Sequence, residues 1–211
     1  MEITSQILSG MFSAIAGAMA ENRDHLCELD GVIGDADHGI AMELGFGAAD
    51  KAVAALDLVS AEPTIVFNTA AKSFLNAVGA SSGPLYATAF MRAGASAKGK
   101  PVLSEADFAL AFMTMAKGIQ ERGKAQIGEK TMIDAWLPAA DACGKALEAG
   151  KSLGECLSAA LTAADAGAEA TKSMLAAKGR ASRLGERVLG HIDPGAASAV
   201  IVIRAIAAAL A

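Results

Sequence analysis

The stretch Ile3-Thr-Ser-Gln-Ile7-Leu-Ser-Gly-Met11-Phe-Ser-Ala-Ile15-Ala-Gly-Ala-Met19 places a large apolar residue at every fourth position. This repeat is close to the 3.6-residue turn of an α-helix, so the five side chains share one face that needs a partner surface. The pattern predicts a first helix running to about Leu29, followed by a loop rich in Asp and Gly. A second helix fits about Ile40 to Leu58, a third begins at Pro63 and stops at Gly79, and Gly83-Pro84 opens a fourth. Ser104-Glu-Ala-Asp107 has the form of a capping box before a fifth helix ending near Gly123. The sixth spans about Met132 to Ala149 with Pro138 as a kink site, and Ser152-Leu-Gly-Glu155 caps a long seventh that reaches Gly179. Asp193-Pro194-Gly195 starts the last. No stretch sustains the two-residue alternation of a strand. About eight helices with mostly short connections predict an all-α fold, a bundle or closed barrel of antiparallel helices, forming one domain over residues 1–211.

Composition agrees with helix packing. The chain is 53% hydrophobic but only 4% aromatic, so small and aliphatic residues carry the apolar character. Ala196 to Ala211 is the most apolar tract, yet it contains Arg204 and is shorter than the ~20 residues a membrane span needs, so it reads as a buried helix. The N-terminal residues lack the basic start and apolar run of a signal peptide, which predicts a cytoplasmic chain. A net charge of −5 offers no basic footprint for nucleic acid. Cys27, Cys143 and Cys156 form no C-x-x-C pair and are expected to be reduced packing residues.

The strongest chemical signal is Asp30-Gly-Val-Ile-Gly34-Asp35-Ala-Asp37-His38-Gly39, between the first two helices. Three carboxylates this close repel one another, and a cation is their natural partner if they converge. Oxygen donors without cysteine suit a hard ion such as magnesium. The spacing does not fit an EF-hand. A solvated Asp-Gly turn accounts for the same residues without any metal. Three further loops, Gly79-Ala-Ser81-Ser82-Gly83, Gly128-Glu-Lys130-Thr131 and Gly190-His-Ile-Asp193-Pro194-Gly195, put small or hydroxyl residues just before helices. Helix starts offer free N–H groups and a positive dipole end to phosphate oxygens, although capping chemistry explains each loop taken singly.

Two motif matches fail on context. Gly79-Ala-Ser81-Ser82-Gly83 satisfies G-x-S-x-G, with His191 downstream, but the residues before it have helical spacing where a nucleophile elbow needs a strand. A serine hydrolase acting through Ser81 is left as a minor alternative. Gly123-Lys-Ala-Gln-Ile-Gly128-Glu129-Lys130-Thr131 approaches a Walker A loop, but Glu129 interrupts Gly-Lys-Thr and no strand precedes it.

The constellation as a whole resembles the dihydroxyacetone kinase L subunit and the matching domain of single-chain dihydroxyacetone kinases. The resemblance rests on Asp30-x-x-Ile-Gly-Asp35-Ala-Asp37-His38-Gly39 with Gly45-Phe46, on Ser82-Gly83-Pro84-Leu85 and on Arg122-Gly123-Lys124-Ala125. It continues through Gly128-x-Lys130-Thr131-Met132-x-Asp134-x-Trp136, Lys178-Gly-Arg180-Ala-Ser182-x-Leu-Gly-Glu186-Arg187 and Gly190-His191-x-Asp193-Pro194-Gly195-Ala196. It implies an eight-helix antiparallel barrel holding ADP or ATP at one end. It also implies that Asp30, Asp35 and Asp37 ligate two Mg2+ ions at the phosphates, and that His38, Gly39, Ile40 and Ala41 line the pocket. Ser81 and Ser82 would donate to phosphate oxygens, Thr131 would sit at the phosphates, Met132 at the base and Gly123 against the adenine. Arg180, Asp193, Pro194 and Gly195 would complete the site.

The family commonly has asparagine where Ala41 stands and Gly-Gly-Ala-Ser-Gly at Gly79 to Gly83, so nucleotide affinity is where this chain would differ. Family resemblance further implies that the ketose, dihydroxyacetone or a four-carbon ketose such as erythrulose, binds on a separate K subunit. The donor is either exchanging ATP or a phosphohistidine carrier of a phosphotransferase system that recharges bound ADP, and a homodimer is left open. A non-catalytic regulatory or scaffold domain of the same fold is the alternative of another class.

Overall fold

The apolar face that begins at Ile3 is covered as its spacing requires: Ile3, Met11, Ile15 and Met19 are fully buried and Ile7 partly so. The computed structural model describes residues 1–79 and 82–210. The helices are α1 (Ser5–Glu21), α2 (Arg23–Ile33), α3 (His38–Ala54), α4 (Pro63–Ala77) and α5 (Ser82–Ser96), then α6 (Glu105–Gly123), α7 (Ile133–Glu148), α8 (Leu153–Ala170) and α9 (Pro194–Leu210). Three short 3-10 turns lie between α8 and α9. Among the described residues there is no strand, only an isolated antiparallel bridge between Ile3 and Leu103, and no helix is long and apolar enough to cross a membrane.

Two boundaries depart from the periodicity reading. The first helix breaks at Asn22, whose backbone N–H and Nδ2 both bond to the Ala18 carbonyl and so end α1. The chain resumes as α2 and runs on to Ile33, which makes nine helices rather than eight among the described residues. The predicted seventh helix stops at Ala170 instead of Gly179, where Thr171 Oγ1 and Ser173 Oγ bond back to Ala168 and Ala170 carbonyls and tighten the last turn into a 3-10 form. α7 runs through Pro138 without a break.

Eight of the helices form a closed ring in which each packs on the next: α1, α3, α4, α5, α6, α7, α8, α9 and back to α1. α2 rides beside α3 and α9 as the ninth element. Helix directions alternate around the ring. At one end the starts of α1, α4, α6 and α8 meet: Ser5 Oγ donates to the Ala61 carbonyl at 2.7 Å, Ile3 pairs with Leu103, and the Leu153 N–H donates to Glu105 at 3.0 Å. Three of these starts are capped by side chains, Thr4 before α1 and the predicted Ser104–Asp107 and Ser152–Glu155 boxes before α6 and α8. The starts of α3, α5, α7 and α9 therefore gather at the opposite end.

The interior is an aromatic column. Phe12, Phe46, Phe67, Phe74, Tyr86, Phe90, Phe112 and Trp136 come from six ring helices and meet mostly edge to face, with centroids from 4.9 Å (Phe46–Phe74) to 6.4 Å (Tyr86–Trp136). The few aromatics thus fill the one space that aliphatic residues on the ring leave open. Phe46→Ala is expected to cost about 3–5 kcal/mol of stability, because the ring around the cavity collapses only in part, whereas Val59→Ala at an 86% exposed position should stay within about 0.5 kcal/mol. Urea unfolding midpoints check this; equal midpoints would show that the column does not hold the barrel together.

Candidate functional site

Asp30 stands in the last turn of α2, and α3 begins eight residues later at His38. The chain reverses between them through Ala36, which adopts a left-handed φ of 62°. For a residue with a Cβ that conformation costs about 1–2 kcal/mol. Asp30 Oδ2 holds the reversal, accepting N–H bonds from Asp37 at 3.0 Å and His38 at 3.3 Å. Asp35 and Asp37 are thereby folded back over Asp30, and one carboxylate oxygen of each of the three lies within 4.8 Å of the others. Asp30 is buried while Asp35 and Asp37 are exposed. A Cβ at Gly34 would stand 2.1 Å from Asp30 Oδ1, so only glycine leaves that oxygen uncovered. The three carboxylates converge, and an all-oxygen cluster with one buried member and one open face has the donor chemistry a hard divalent cation takes.

His38 is tied into the barrel wall, with Nε2 2.9 Å from the Ser198 hydroxyl of α9. Burial pushes its pKa down, and the Asp30 charge opposes that shift. Gly39 serves a different purpose from the one expected: it is buried and does not face the cavity, and a Cβ there would fall 1.9 Å from the Arg23 carbonyl oxygen, so its smallness lets α3 cross α2.

Across the same end, the Asp134 carboxylate in the first turn of α7 accepts N–H bonds from Gly128 at 2.6 Å and Thr131 at 2.8 Å, which shapes the loop before that helix. Asp193 Oδ2 accepts the Ala196 N–H at 2.8 Å and caps α9. Burial pushes the Asp193 carboxyl up to about 7, while the Ala196 N–H and the Lys130 charge oppose that shift. The N-cap residues of α3 and α7 make no side-chain cap; the first N–H of α3 goes to Asp30 instead and that of α7 to Thr131 Oγ1 at 3.2 Å. Arg180, on the segment after α8, pairs with Asp35. Lys130, the lysine of the near-Walker loop, is buried and donates to the Thr171 and His191 carbonyls.

These elements surround one cavity of about 750 Å3, within the roughly 300–1,000 Å3 usual for small-molecule sites. Asp30, Asp35, Asp37, His38, Ile40, Ala41, Ser82, Gly123, Thr131, Met132, Arg180, Asp193, Pro194 and Gly195 all line it. Ser81 lies outside the described residues. The segment before Gly79 is α4, a helix and not the strand a nucleophile elbow requires. Missed from the sequence was an apolar wall, including Leu44, Leu85 and Ile119; exposed Leu44, 56% accessible on α3, reads as an ordinary surface residue until α6 and α5 are placed opposite. The basic segment Lys178 to Ala181 lines the cavity as well.

Residues 32–208 match the DAK2 domain. The chain is 39% identical over 191 residues to the PEP-dependent dihydroxyacetone kinase 2, ADP-binding subunit DhaL, of Listeria innocua, covering 90% of this chain and 88% of that one. It is 37% identical over 186 residues to the PEP-dependent dihydroxyacetone kinase, ADP-binding subunit DhaL, of Escherichia coli, covering 88% of each. The barrel superposes with a TM-score of 0.73 on the dihydroxyacetone kinase from C. freundii in complex with AMP-PNP and Mg2+, at 25% identity, spanning 99% of this chain and 34% of that chain. With its barrel, its motifs and these relatives in agreement, the chain belongs to the DAK2-domain family of dihydroxyacetone kinase L subunits.

Proposed function

We propose that this chain binds ADP or ATP with magnesium in the cavity at the α3/α5/α7/α9 end of the barrel and serves as the nucleotide subunit of a dihydroxyacetone-type kinase. The observation that carries the reading is the convergence, on one cavity, of three carboxylates within 4.8 Å and the starts of α3, α5, α7 and α9. Asp30, Asp35 and Asp37 would hold two Mg2+ ions, whose charge, when bound, neutralises the phosphate oxygens during transfer. Asp30 is oriented for this by the N–H groups of Asp37 and His38. N–H groups at the starts of α3 and α7, with Ser81 and Ser82 before and at the start of α5, would donate to phosphate oxygens, and Thr131 and Gly195 border the same space.

Ile40, Ala41, Leu85, Gly123 and Met132 supply an apolar lining for the base. Arg180 would move from Asp35 to the phosphates once cations occupy the aspartates. Phosphoryl transfer of this kind runs by positioning and charge and needs no protein nucleophile. The acceptor ketose would sit on a separate K subunit docked over the cavity mouth. Likeness to ADP-binding subunits of PEP-dependent kinases supports a donor chain in which a phosphohistidine carrier recharges bound ADP.

Asp35→Asn should weaken Mg-ADP binding by about two orders of magnitude, at the upper end of what losing even an outer partner of a metal ligand costs. Titration calorimetry measures it, and wild-type affinity in the variant removes Asp35 from the metal set. Mg-ADP at 100 times its Kd should stabilise the wild type by about 2.7 kcal/mol, or about 5–10 °C in melting temperature for a chain of this size. A melt indifferent to saturating Mg-ADP contradicts the nucleotide site. In a coupled assay the chain alone should phosphorylate no dihydroxyacetone, and activity should appear on adding a cognate K subunit with either ATP or a phosphorylated carrier protein. Turnover by the isolated chain defeats the division of labour.

A further inference from the structure

Lys130 borders the cavity but has no role in the reading above, and it is among the most buried charged groups of the protein at 2% exposure. Its backbone adopts a left-handed φ of 58°, a conformation that costs a residue with a Cβ about 1–2 kcal/mol. Nζ donates to the Thr171 carbonyl at 2.6 Å and to the His191 carbonyl at 2.5 Å. Among the described residues no carboxylate pairs with it directly. Burial disfavours its charged form, and the nearby Asp193 and Asp134 carboxylates favour it. A methionine would fill the same space without the desolvation cost of a buried cation, so the ammonium calls for an explanation beyond packing.

What the ammonium joins supplies that explanation. Thr171 closes α8, and its Oγ1 accepts the Asp193 N–H at 2.9 Å while donating to Ala168 at 2.6 Å. His191 lies two residues before Asp193, which caps α9. Lys130 itself precedes Thr131, whose N–H is fixed by Asp134. One side chain therefore links the loop that opens α7 to the segment that opens α9, adding to the direct packing of these two helices across the ring. Both openings face the cavity.

We infer that Lys130 is a positioning residue for the phosphate end of the site, fixing the starts of α7 and α9 at the separation needed for both to address one ligand; this rests on the nucleotide reading above. The test compares wild type, Lys130→Met, Lys130→Arg and Phe108→Leu, the last a buried core change in the first turn of α6 at the far end of the barrel. Mg-ADP is titrated by calorimetry well below the melting temperature of every variant. Lys130→Met should lose about tenfold or more in affinity, as orienting partners of ligand-binding groups do. Lys130→Arg, which keeps a cation with several N–H donors, should recover part of that loss. Phe108→Leu should melt earlier and still bind as wild type.

Wild-type affinity in Lys130→Met overturns the inference, and so does an equal loss in Phe108→Leu, because the effect is then general softening. If Lys130→Met does not fold, Thr171→Val takes its place: it removes the hydroxyl that holds the Asp193 N–H, should show the same loss, and overturns the inference if it binds normally. A wild type that takes up no Mg-ADP overturns the nucleotide reading itself, a separate result.

Discussion

Closure of an even number of antiparallel helices into a ring sorts helix ends. Each ring helix runs against the one before it, across short loops from α3 to α8 and across longer segments between α1 and α3 and between α8 and α9, and with eight members α9 also runs against α1. Four helix starts must then lie at each end. Each start carries a partial positive charge of about half a unit from its unpaired N–H groups. At one end this charge is met internally, by Thr4, by the two capping boxes and by Glu105 on the Leu153 N–H. At the other, Asp30 takes the first N–H of α3, Thr131 that of α7 and Asp193 the Ala196 N–H of α9, and the acidic cluster sits among these starts. The cavity lies at this second end, where the acceptors are the residues of the acidic cluster and its neighbours.

Relative magnitudes decide which charges at that end are fixed and which can move. The Arg180–Asp35 pair joins side chains that are 61% and 41% exposed, so it is worth no more than about 1 kcal/mol and yields readily to a better partner. Lys130 is different: its ammonium is buried on two carbonyls, and leaving either unpaired would cost about 1–3 kcal/mol. Asp30 is buried and held by two N–H bonds, whereas Asp35 and Asp37 are exposed on the reversal that Ala36 makes. At the cavity, Asp30 and Lys130 are thus held by buried hydrogen bonds, while Asp35, Asp37 and Arg180 are exposed. Such a division suits a site that must keep its geometry while charge moves in and out.

Much of this was legible along the chain because the signals are local. Helical burial follows from contacts three and four residues apart, so the Ile3 to Met19 face and both capping boxes were readable and are found as read. The Asp30 to Gly39 reversal is also nearly local, since Asp30 bonds to groups seven and eight residues away. The Asn22 break and the end of α8 at Ala170 were not read, because side-chain bonds back to the helix compete there with an unbroken apolar pattern. Gly39 was read as pocket lining when its role is contact with Arg23 on α2.

The sequence by itself determined the helices, the acidic reversal and the family resemblance, each carried by residues close together or by motifs in order. Only the tertiary structure decided where the rest points. Lys130 stands in a near-Walker loop, where a lysine would be assigned to phosphate, yet its acceptors lie 41 and 61 residues onward and turn it into the protein. His38 finds Ser198 across 160 residues, and the apolar wall of the cavity exists only once α3, α5 and α6 face one another. Contacts of that span depend on ring closure, a property of all the helices together, and no local spacing in the chain encodes it.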